Sequence, residues 1–254
     1  MTVRVDPEQN EARALFGLVD LDGRRVLEIG SGDGRLTWRY ADRAAHVTAV
    51  EPFAAAVARA KENVPPELSR RVVQRRAAFD EFAAENAASS FDVAIFSWSL
   101  CCMNQDDMVP ALDEARRLIG PNGTVIDIHP VPGTAEVEIH HAGEVVFAEP
   151  ASISDHEGER HADEALADVV ARGLFVAERR SEFDFRVYAS SARDLRDFLA
   201  EADAHARQDG RETNDSYETE LYERVGRMIA AGATGAEVAY HEQAGITQLR
   251  PVVV

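Results

Sequence analysis

The chain has 254 residues, of which 45% are hydrophobic, and this is enough to bury one sizeable core. Its acidic residues outnumber its basic residues by 45 to 27, which leaves a formal net charge of -18. A charge of this sign repels a phosphate backbone and therefore argues against nucleic acid as a partner. No stretch resembles an interdomain linker, so we expect a single domain over residues 1–254.

The N-terminus bears on where the protein is located, and the cysteines bear on disulfide and zinc binding. Residues 1–10 are polar and lack the apolar centre of a signal peptide, and no apolar run is long enough to span a bilayer. We therefore expect a cytoplasmic protein that has no membrane partner. Cys101 and Cys102 are adjacent, which disfavours an ordinary intrachain disulfide and provides no zinc-ligand spacing.

The hydrophobic pattern alternates between helical and strand periods along the chain. Helices are predicted at 8–19, 36–44, 53–64, 106–119, 162–171, 192–206 and 215–231. Strands are predicted at 25–30, 46–51, 71–75, 91–97, 123–129, 174–188 and 237–253, with a hairpin at 135–139 and 144–147.

A glycine-rich loop follows the first predicted strand. Gly30, Gly32 and Gly34 occupy alternate positions, which lets the backbone turn sharply and approach a ligand closely. Glu28 comes two residues before the first glycine, where a carboxylate would repel phosphate but would attract a positive amino group. Arg35 stands where the dinucleotide fingerprint requires its third glycine, and the Gly-Lys-Ser/Thr of a P-loop is absent.

Glu51 ends the second predicted strand, 19 residues after Gly32. At this interval an acidic residue meets the ribose in nucleotide-binding βαβ units, and a carboxylate can accept both ribose hydroxyl protons. The alternative is an acidic residue that stabilises the N-terminus of the following helix. The preceding glycine loop favours the ligand role.

The segment 28–34, EIGSGDG, resembles the first motif of class I S-adenosylmethionine-dependent methyltransferases. The segment 118–124, LIGPNGT, is similar to the turn before the fifth strand in small-molecule members of that family. The alternative is a tight strand-to-helix turn in another α/β protein. The resemblance covers residues 20–130 and implies a Rossmann-like, doubly wound, seven-stranded α/β sheet with helices on both faces.

The same resemblance assigns residues 20–130 to cofactor binding. The segment 131–160 is then an insertion, and 190–236 contains helices between the last two strands. In an open α/β sheet a ligand lies outside the carboxyl ends of the strands, so the chain that leaves residue 129 begins beside the ligand. We therefore expect both segments to form a lid over the acceptor.

The cofactor that the resemblance implies is S-adenosyl-L-methionine, with S-adenosyl-L-homocysteine as the product. The residues that would bind it are Glu28, Gly30, Ser31, Gly32, Gly34, Glu51, Pro52, Phe53, Ala78, Phe79, Asp80 and Ser97. Two arrangements around the adenine stay open. Asp80 could accept from the adenine amino group, or the backbone at Ala78 could do so while Phe79 stacks on the ring.

The segment 97–103 would lie beside the reactive methyl group and so form part of the acceptor pocket. Trp98, Cys101 and Met103 are the residues expected to line it. Tyr217 would offer its ring from a later helix, although ordinary packing explains that residue equally well.

His129, at the end of the fifth strand, is the candidate general base, since an imidazole can take a proton from a hydroxyl or amine near neutral pH. A hydrogen-bonded structural histidine is the alternative. His140 and His141 are neighbours in a strand and face opposite sides, so they do not bind one ion together. We predict no metal.

The function expected from these features is methyl transfer to a small-molecule acceptor by in-line displacement, an activity of the EC 2.1.1 class. One alternative is a non-catalytic S-adenosylmethionine-binding sensor or partner subunit. An RNA or protein methyltransferase is less favoured, because residues 97–100 are Ser-Trp-Ser-Leu where nucleic-acid and glutamine methylating members have Asp/Asn-Pro-Pro-aromatic. A homodimer is a possible assembly of this protein.

Overall fold

The computed structural model describes residues 3–151, 156–206, 215–232 and 235–253. Parts of the predicted lid segments, 152–155, 207–214 and 233–234, lie outside the described residues. Strands and helices alternate along the chain, and the predicted α/β class is confirmed. In chain order they are β1 (Arg4–Val5), α1 (Asn10–Leu18), β2 (Arg25–Ile29), α2 (Thr37–Tyr40), β3 (His46–Glu51), α3 (Ala54–Asn63), β4 (Val72–Arg76), α4 (Phe79–Glu85), β5 (Val93–Ser97), α5 (Gln105–Ile119), β6 (Thr124–Pro130), β7 (Glu136–His141), β8 (Glu144–Pro150), α6 (Glu157–Ala171), β9 (Phe175–Ala189), α7 (Ala192–Ala206), α8 (Asp215–Gly232) and β10 (Glu237–Pro251).

Most predicted elements are confirmed within a few residues, and the differences are local. The described residues form ten strands rather than seven, because the predicted hairpin pairs as β7 and β8 and the two-residue β1 is added. The helix predicted at 36–44 is only α2, since Arg43 N–H bonds to Tyr40 O and closes the chain into a turn. Helix α4 occupies a stretch for which no helix was predicted.

The chain divides into two compact units. The core unit comprises Glu11–His129, Gly158–Glu182 and Gly245–Val254, and the second unit comprises Met1–Asn10, Pro130–Glu157 and Phe183–Ala244. The expectation of one domain with a lid stays a prediction.

The core unit is built on parallel strands. Strand β2 pairs with β3 on one side and with β5 on the other, so that Ile29 lies opposite both Val50 and Phe96. Strand β4 continues outward from β3, and β6, β10 and β9 follow β5 in that order. The strand order therefore reverses between β2 and β5. In open α/β sheets, ligands bind outside the carboxyl ends of the strands at such a reversal.

The core unit's hydrophobic core joins this sheet to α5 and α6. On α5, every third or fourth residue is fully buried, namely Met108, Leu112, Ala115 and Leu118. They pack with Phe96 of β5 and with Leu166 of α6. Each of the methionine and leucine side chains stabilises the fold by about 1.5 to 3 kcal/mol through burial alone, which holds the carboxyl ends of the strands in place.

The second unit is antiparallel. Strand β10 pairs with β7, where Val238 lies opposite Ile139, and β7 continues through a hairpin into β8. Strand β1 pairs with the second unit's part of β9. Leu195 of α7 and Val225 of α8 are fully buried.

None of the helices in the described part of the chain combines the length and the apolar character needed to cross a membrane.

Candidate functional site

The glycine loop after β2 lies at the strand-order reversal of the core unit. Its three glycines have positive φ angles, 73° at Gly30, 57° at Gly32 and 89° at Gly34, a region that L side chains rarely adopt. A Cβ added to Gly30 would lie 2.4 Å from the Cβ of Ser99, and one added to Gly34 would lie 2.3 Å from the ring of Trp38. These two glycines therefore allow the close approach of the loop to the segment after β5 and to α2.

Gly32 has a different environment. A Cβ added there would meet no described atom of the chain within 4 Å. The Gly32 N–H donates to Oε2 of Glu51 at 2.9 Å, while the N–H groups of Gly30 and Ser31 bond to the carbonyl of Val50 at 2.9 and 3.1 Å. The loop thus presents open space directly beside a carboxylate at the end of β3, and this space can receive a ligand.

Glu51 itself is only 5% exposed. Its Oε2 accepts from Gly32, and its Oε1 accepts from the N–H of Phe53 at 3.0 Å. Each carboxylate oxygen can accept two hydrogen bonds, so both retain capacity for a ribose hydroxyl. The residues fit the predicted ribose contact, which stays a prediction. Pro52 is exposed and Phe53 is partly buried on the adjoining chain.

Glu28 lies beneath the loop with 1% of its surface exposed. Its Oε2 accepts from the hydroxyls of Thr37 at 2.6 Å and Tyr40 at 2.8 Å, both on α2. Burial raises the pKa of Glu28 to about 7, although these two hydrogen bonds act to lower the pKa. The carboxyl group joins β2 to α2 and supports the loop from below, and a direct ligand contact stays a prediction.

Glu11 of α1 is a site residue that the sequence interpretation missed. It is 1% exposed and accepts from Ser97 Oγ at 2.7 Å and from Trp98 Nε1 at 2.9 Å. It also forms an ion pair with Arg35 of the glycine loop, in which Arg35 Nη2 lies 3.2 Å from Oε1. One buried carboxylate therefore connects α1, the glycine loop and the end of β5.

The sequence did contain an indication of this role. Glu11 lies four residues before Leu15 and seven before Leu18, on the apolar side of α1. Acidic residues are rarely buried unless they are paired, so an acid on that side predicts a buried partner.

The segment after β5 is held in a strained conformation. Trp98 has a φ of 57°, which costs a non-glycine residue about 1 to 3 kcal/mol. Its N–H donates to the carbonyl of Ile128 at 2.7 Å, and Ser99 Oγ donates to the carbonyl of Ile29 at 2.5 Å. Residues held this way cluster at functional sites. The predicted residues Ser97 and Trp98 are thus brought beside the glycine loop.

The other predicted pocket residues lie in different surroundings. Cys101 is buried in the hydrophobic core, and Met103 packs against it. A hydrogen bond with Cys102, together with burial, raises the pKa of the Cys101 thiol well above its usual value, so it remains protonated. Tyr217 belongs to the second unit, where its hydroxyl donates to the carbonyl of Pro150 at 2.9 Å.

The residues predicted to surround adenine flank the start of α4. Ala78 directly precedes this helix in an extended conformation, and Asp80 is exposed in its first turn. The ring of Phe79 packs edge-on against Phe96, with 6.0 Å between ring centroids. Both arrangements around the adenine remain open.

His129 is buried between two carboxylates. Its Nδ1 lies 2.6 Å from Asp127 Oδ2, and its Nε2 lies 3.6 Å from Oδ1 of Asp163 in α6. Burial lowers the pKa of His129, but the hydrogen bonds and negative charges of the two aspartates outweigh this effect and raise the pKa to about 10. An imidazolium has no lone pair with which to accept a proton, so this environment favours the structural alternative. The base role stays a prediction.

Residues 26–123, which run from β2 to the turn before β6, match the family model described as a methyltransferase domain. This part of the chain is therefore similar to a methyltransferase domain. The matched residues include the glycine loop, Glu51 and the segment after β5. A comparison with curated proteins finds none that matches.

Solved structures share the fold of this chain at low sequence identity. An S-adenosylmethionine-dependent methyltransferase from Mesorhizobium loti is 16% identical over 94% of this chain and 97% of its own, with a TM-score of 0.52. The glycopeptide N-methyltransferase MtfA, in complex with S-adenosyl-L-homocysteine, is 14% identical over 95% and 89%, with a TM-score of 0.55. The [4+2]-cyclase SpnF is 18% identical over 96% and 81%, with a TM-score of 0.52. These likenesses show the fold.

The raised pKa of Glu28 predicts a pH-dependent stability. The folded chain keeps this proton up to about pH 7, whereas the unfolded chain releases it near its ordinary value of 4.5. The stabilisation is therefore fully present below pH 4.5 and is lost as the pH rises through 7. Relative to Glu28→Gln, whose amide cannot ionise, the wild type should lose on the order of 1 to 3 kcal/mol across this window.

Urea unfolding of both proteins between pH 4.5 and 8 measures this difference and cancels the contribution of other titrating groups. A difference between wild type and Glu28→Gln that is constant with pH would show that Glu28 titrates normally.

Removal of the Glu11 carboxylate should destabilise the site. Glu11→Ala leaves the donors of Ser97 and Trp98 without their buried acceptor, at a cost of about 1 to 3 kcal/mol. Glu62→Ala provides the control, because Glu62 is an exposed acid of α3 whose loss should change stability by less than about 0.5 kcal/mol. The free energies of unfolding from urea titration are compared. Equal free energies of unfolding for the two variants would mean that the hydrogen bonds and ion pair of Glu11 do not stabilise the fold.

Proposed function

We propose that this protein transfers a methyl group from S-adenosyl-L-methionine to a small-molecule acceptor, as a methyltransferase of the EC 2.1.1 class. The observation that carries the proposal is the space at Gly32, which no side chain of the described residues fills and which adjoins the buried carboxylate of Glu51. A nucleoside can place its ribose hydroxyls on Glu51 while its remaining atoms pass over the partly exposed backbone of the loop at Gly32.

The charges around the loop favour the binding of a positively charged ligand. Glu51 is buried at the end of β3, and its carboxylate contacts the loop backbone. Glu11 is paired with Arg35, and Glu28, whose pKa is raised to about 7, keeps its proton below that pH. A buried carboxylate at the loop stabilises a cation and repels phosphate. S-adenosyl-L-methionine carries a sulfonium and an ammonium, and when bound it would supply a methyl group, whose carbon the acceptor attacks in line while the carbon–sulfur bond breaks and S-adenosyl-L-homocysteine leaves. The structural neighbour MtfA was solved with the corresponding product, S-adenosyl-L-homocysteine.

The roles of the chain's own residues in this proposal are binding and alignment. In-line displacement needs the nucleophile aligned with the methyl carbon and water excluded, and it does not require a specific base. Ser97 and Trp98 both donate to Glu11, and the N–H of Trp98 donates to the carbonyl of Ile128, so these two residues can form one wall of the acceptor site. This arrangement makes no use of His129 as a base.

A small-molecule acceptor is supported by charge. The net charge of -18 disfavours a polyanionic acceptor, and residues 97–100 lack the proline-containing motif of base-methylating relatives. The neighbour SpnF is named as a [4+2]-cyclase, so this fold also occurs in proteins that are not named as methyltransferases. A non-catalytic S-adenosylmethionine-binding protein is the second candidate, because the features at Gly32 and Glu51 serve binding and do not themselves require turnover.

Cofactor binding is tested by calorimetry with S-adenosyl-L-homocysteine. Glu51→Gln keeps an oxygen acceptor but removes the charge, and it should weaken binding by about 1.5 to 3 kcal/mol, roughly tenfold or more. Gly32→Ala places a methyl group in the ligand space and should also weaken binding strongly.

The control for backbone strain is Gly23→Ala. Gly23 has a φ of 71° and open space around its Cβ position, but it lies in the turn before β2, at the opposite end of that strand from the loop. It should lose a similar amount of stability and keep its affinity. Unchanged affinity in folded Glu51→Gln and Gly32→Ala would overturn the proposed binding site.

The acceptor class is tested by the release of S-adenosyl-L-homocysteine. With a panel of phenols, amines, thiols and carboxylic acids, and with bulk RNA and unfolded protein as separate arms, we expect release only with a small molecule. Release with RNA or protein would contradict the acceptor class. Tight cofactor binding with no release in any arm would favour the non-catalytic alternative.

A further inference from the structure

The second unit contains a cluster of potential metal ligands that lies outside the methyltransferase domain match. Glu136 and Glu138 are two residues apart in β7 and therefore lie on the same face of the strand. His241 of β10 is paired directly opposite Glu136. One ligand atom from each of the three residues lies within 4.8 Å of the other two.

The orientation of His241 is set by a carboxylate on its far side. Its Nε2 lies 2.9 Å from Asp184 Oδ1, so that in the neutral ring the proton is on Nε2. Its Nδ1 is buried and makes no hydrogen bond with any described residue. Glu138 and Asp184 raise the pKa of His241, so an ion bound at Nδ1 would replace a proton and use the lone pair of that nitrogen. This nitrogen lies 3.0 Å from Glu138 Oε1, although the contact lacks hydrogen-bond geometry. A lone pair facing a carboxylate oxygen is stabilised by a cation shared between them.

Glu138 is also oriented for such a cation. Its side chain is 5% exposed, and its Oε2 accepts from His140 Nε2 at 2.7 Å and from Arg186 Nε at 3.2 Å. These two donors occupy one oxygen and leave Oε1 directed at His241. Metal-ligating carboxylates and histidines are typically held in this way by hydrogen bonds on their outer atoms.

We propose that Glu136, Glu138 and His241 bind one divalent transition-metal ion, with Asp184, His140 and Arg186 orienting the ligands. One imidazole nitrogen and two carboxylate oxygens suit Zn²⁺, and three protein ligands leave a fourth tetrahedral position for water. The ion would link β7 to β10, which come from distant parts of the sequence, and would stabilise the second unit. This site is independent of the proposed methyl transfer.

The experiment uses the full chain after treatment with a chelator, titrated with Zn²⁺ by calorimetry and with Co²⁺ by visible absorption. We expect one tight equivalent per chain and the absorption of tetrahedral Co²⁺. Glu136→Gln and His241→Asn should each weaken binding by more than tenfold, and Asp184→Asn should weaken it by about 10- to 100-fold. Zn²⁺ should raise the melting temperature of the wild type but not of His241→Asn.

The matched controls are Glu144→Gln and His141→Asn, which remove the same side chains from exposed positions of the same hairpin. Both should bind as the wild type does, and circular dichroism without metal checks that every variant is folded. Absence of binding by the wild type would show that His241 is instead a protonated partner of Glu138 and Asp184. Equal affinity in His241→Asn would show adventitious binding only. Either result overturns the proposal.

Discussion

The positive φ angles of the loop after β2 are the constraint on which the rest of the candidate site depends. At Gly30 and Gly34 a side chain would meet Ser99 or Trp38 at less than 2.5 Å, so these positions keep the loop pressed against its neighbours. Only Gly32, between them, faces open space. The backbone can therefore approach a ligand at one point while it is fixed on both sides of that point.

Three buried carboxylates support this loop, and each has a different role. Glu28 holds α2 below the loop, Glu51 bonds to the backbone of Gly32, and Glu11 joins Arg35 to the segment after β5. Burying ionisable groups is costly unless they are paired, and each of these three acids has partners within the chain. Glu51, which contacts the loop backbone itself, is placed to favour a positively charged ligand over phosphate.

Much of the fold could be predicted because the decisive patterns are local. The near-continuous apolar run of β5 predicts a buried strand, and the three glycines after β2 predict a tight loop, each from about ten residues of sequence. Glu51 could be identified because it lies at a fixed interval from that loop. Helix α4 was missed because its sequence was interpreted as an adenine contact, although FDEFAAE has good helical propensity. In that case family resemblance was given more weight than local propensity.

The contacts that could not be predicted join residues far apart in sequence. Glu11 meets Ser97 across 86 residues, and His241 meets Glu136 only through the pairing of β10 with β7. The prediction that the chain binds no metal considered only the neighbouring histidines His140 and His141, because the sequence does not show which strand lies beside β7. His129 shows a related limit, since its proton affinity depends on Asp163 of α6, whose approach the sequence does not reveal.

A crystal structure of the chain with S-adenosyl-L-homocysteine bound would show whether the glycine loop and Glu51 form the cofactor site. We expect both ribose hydroxyls to bond to the carboxylate of Glu51 and the ligand to pass over Gly32 within van der Waals distance of its Cα. A ligand bound elsewhere in the chain, or one at the loop with no contact to Glu51, would contradict this assignment.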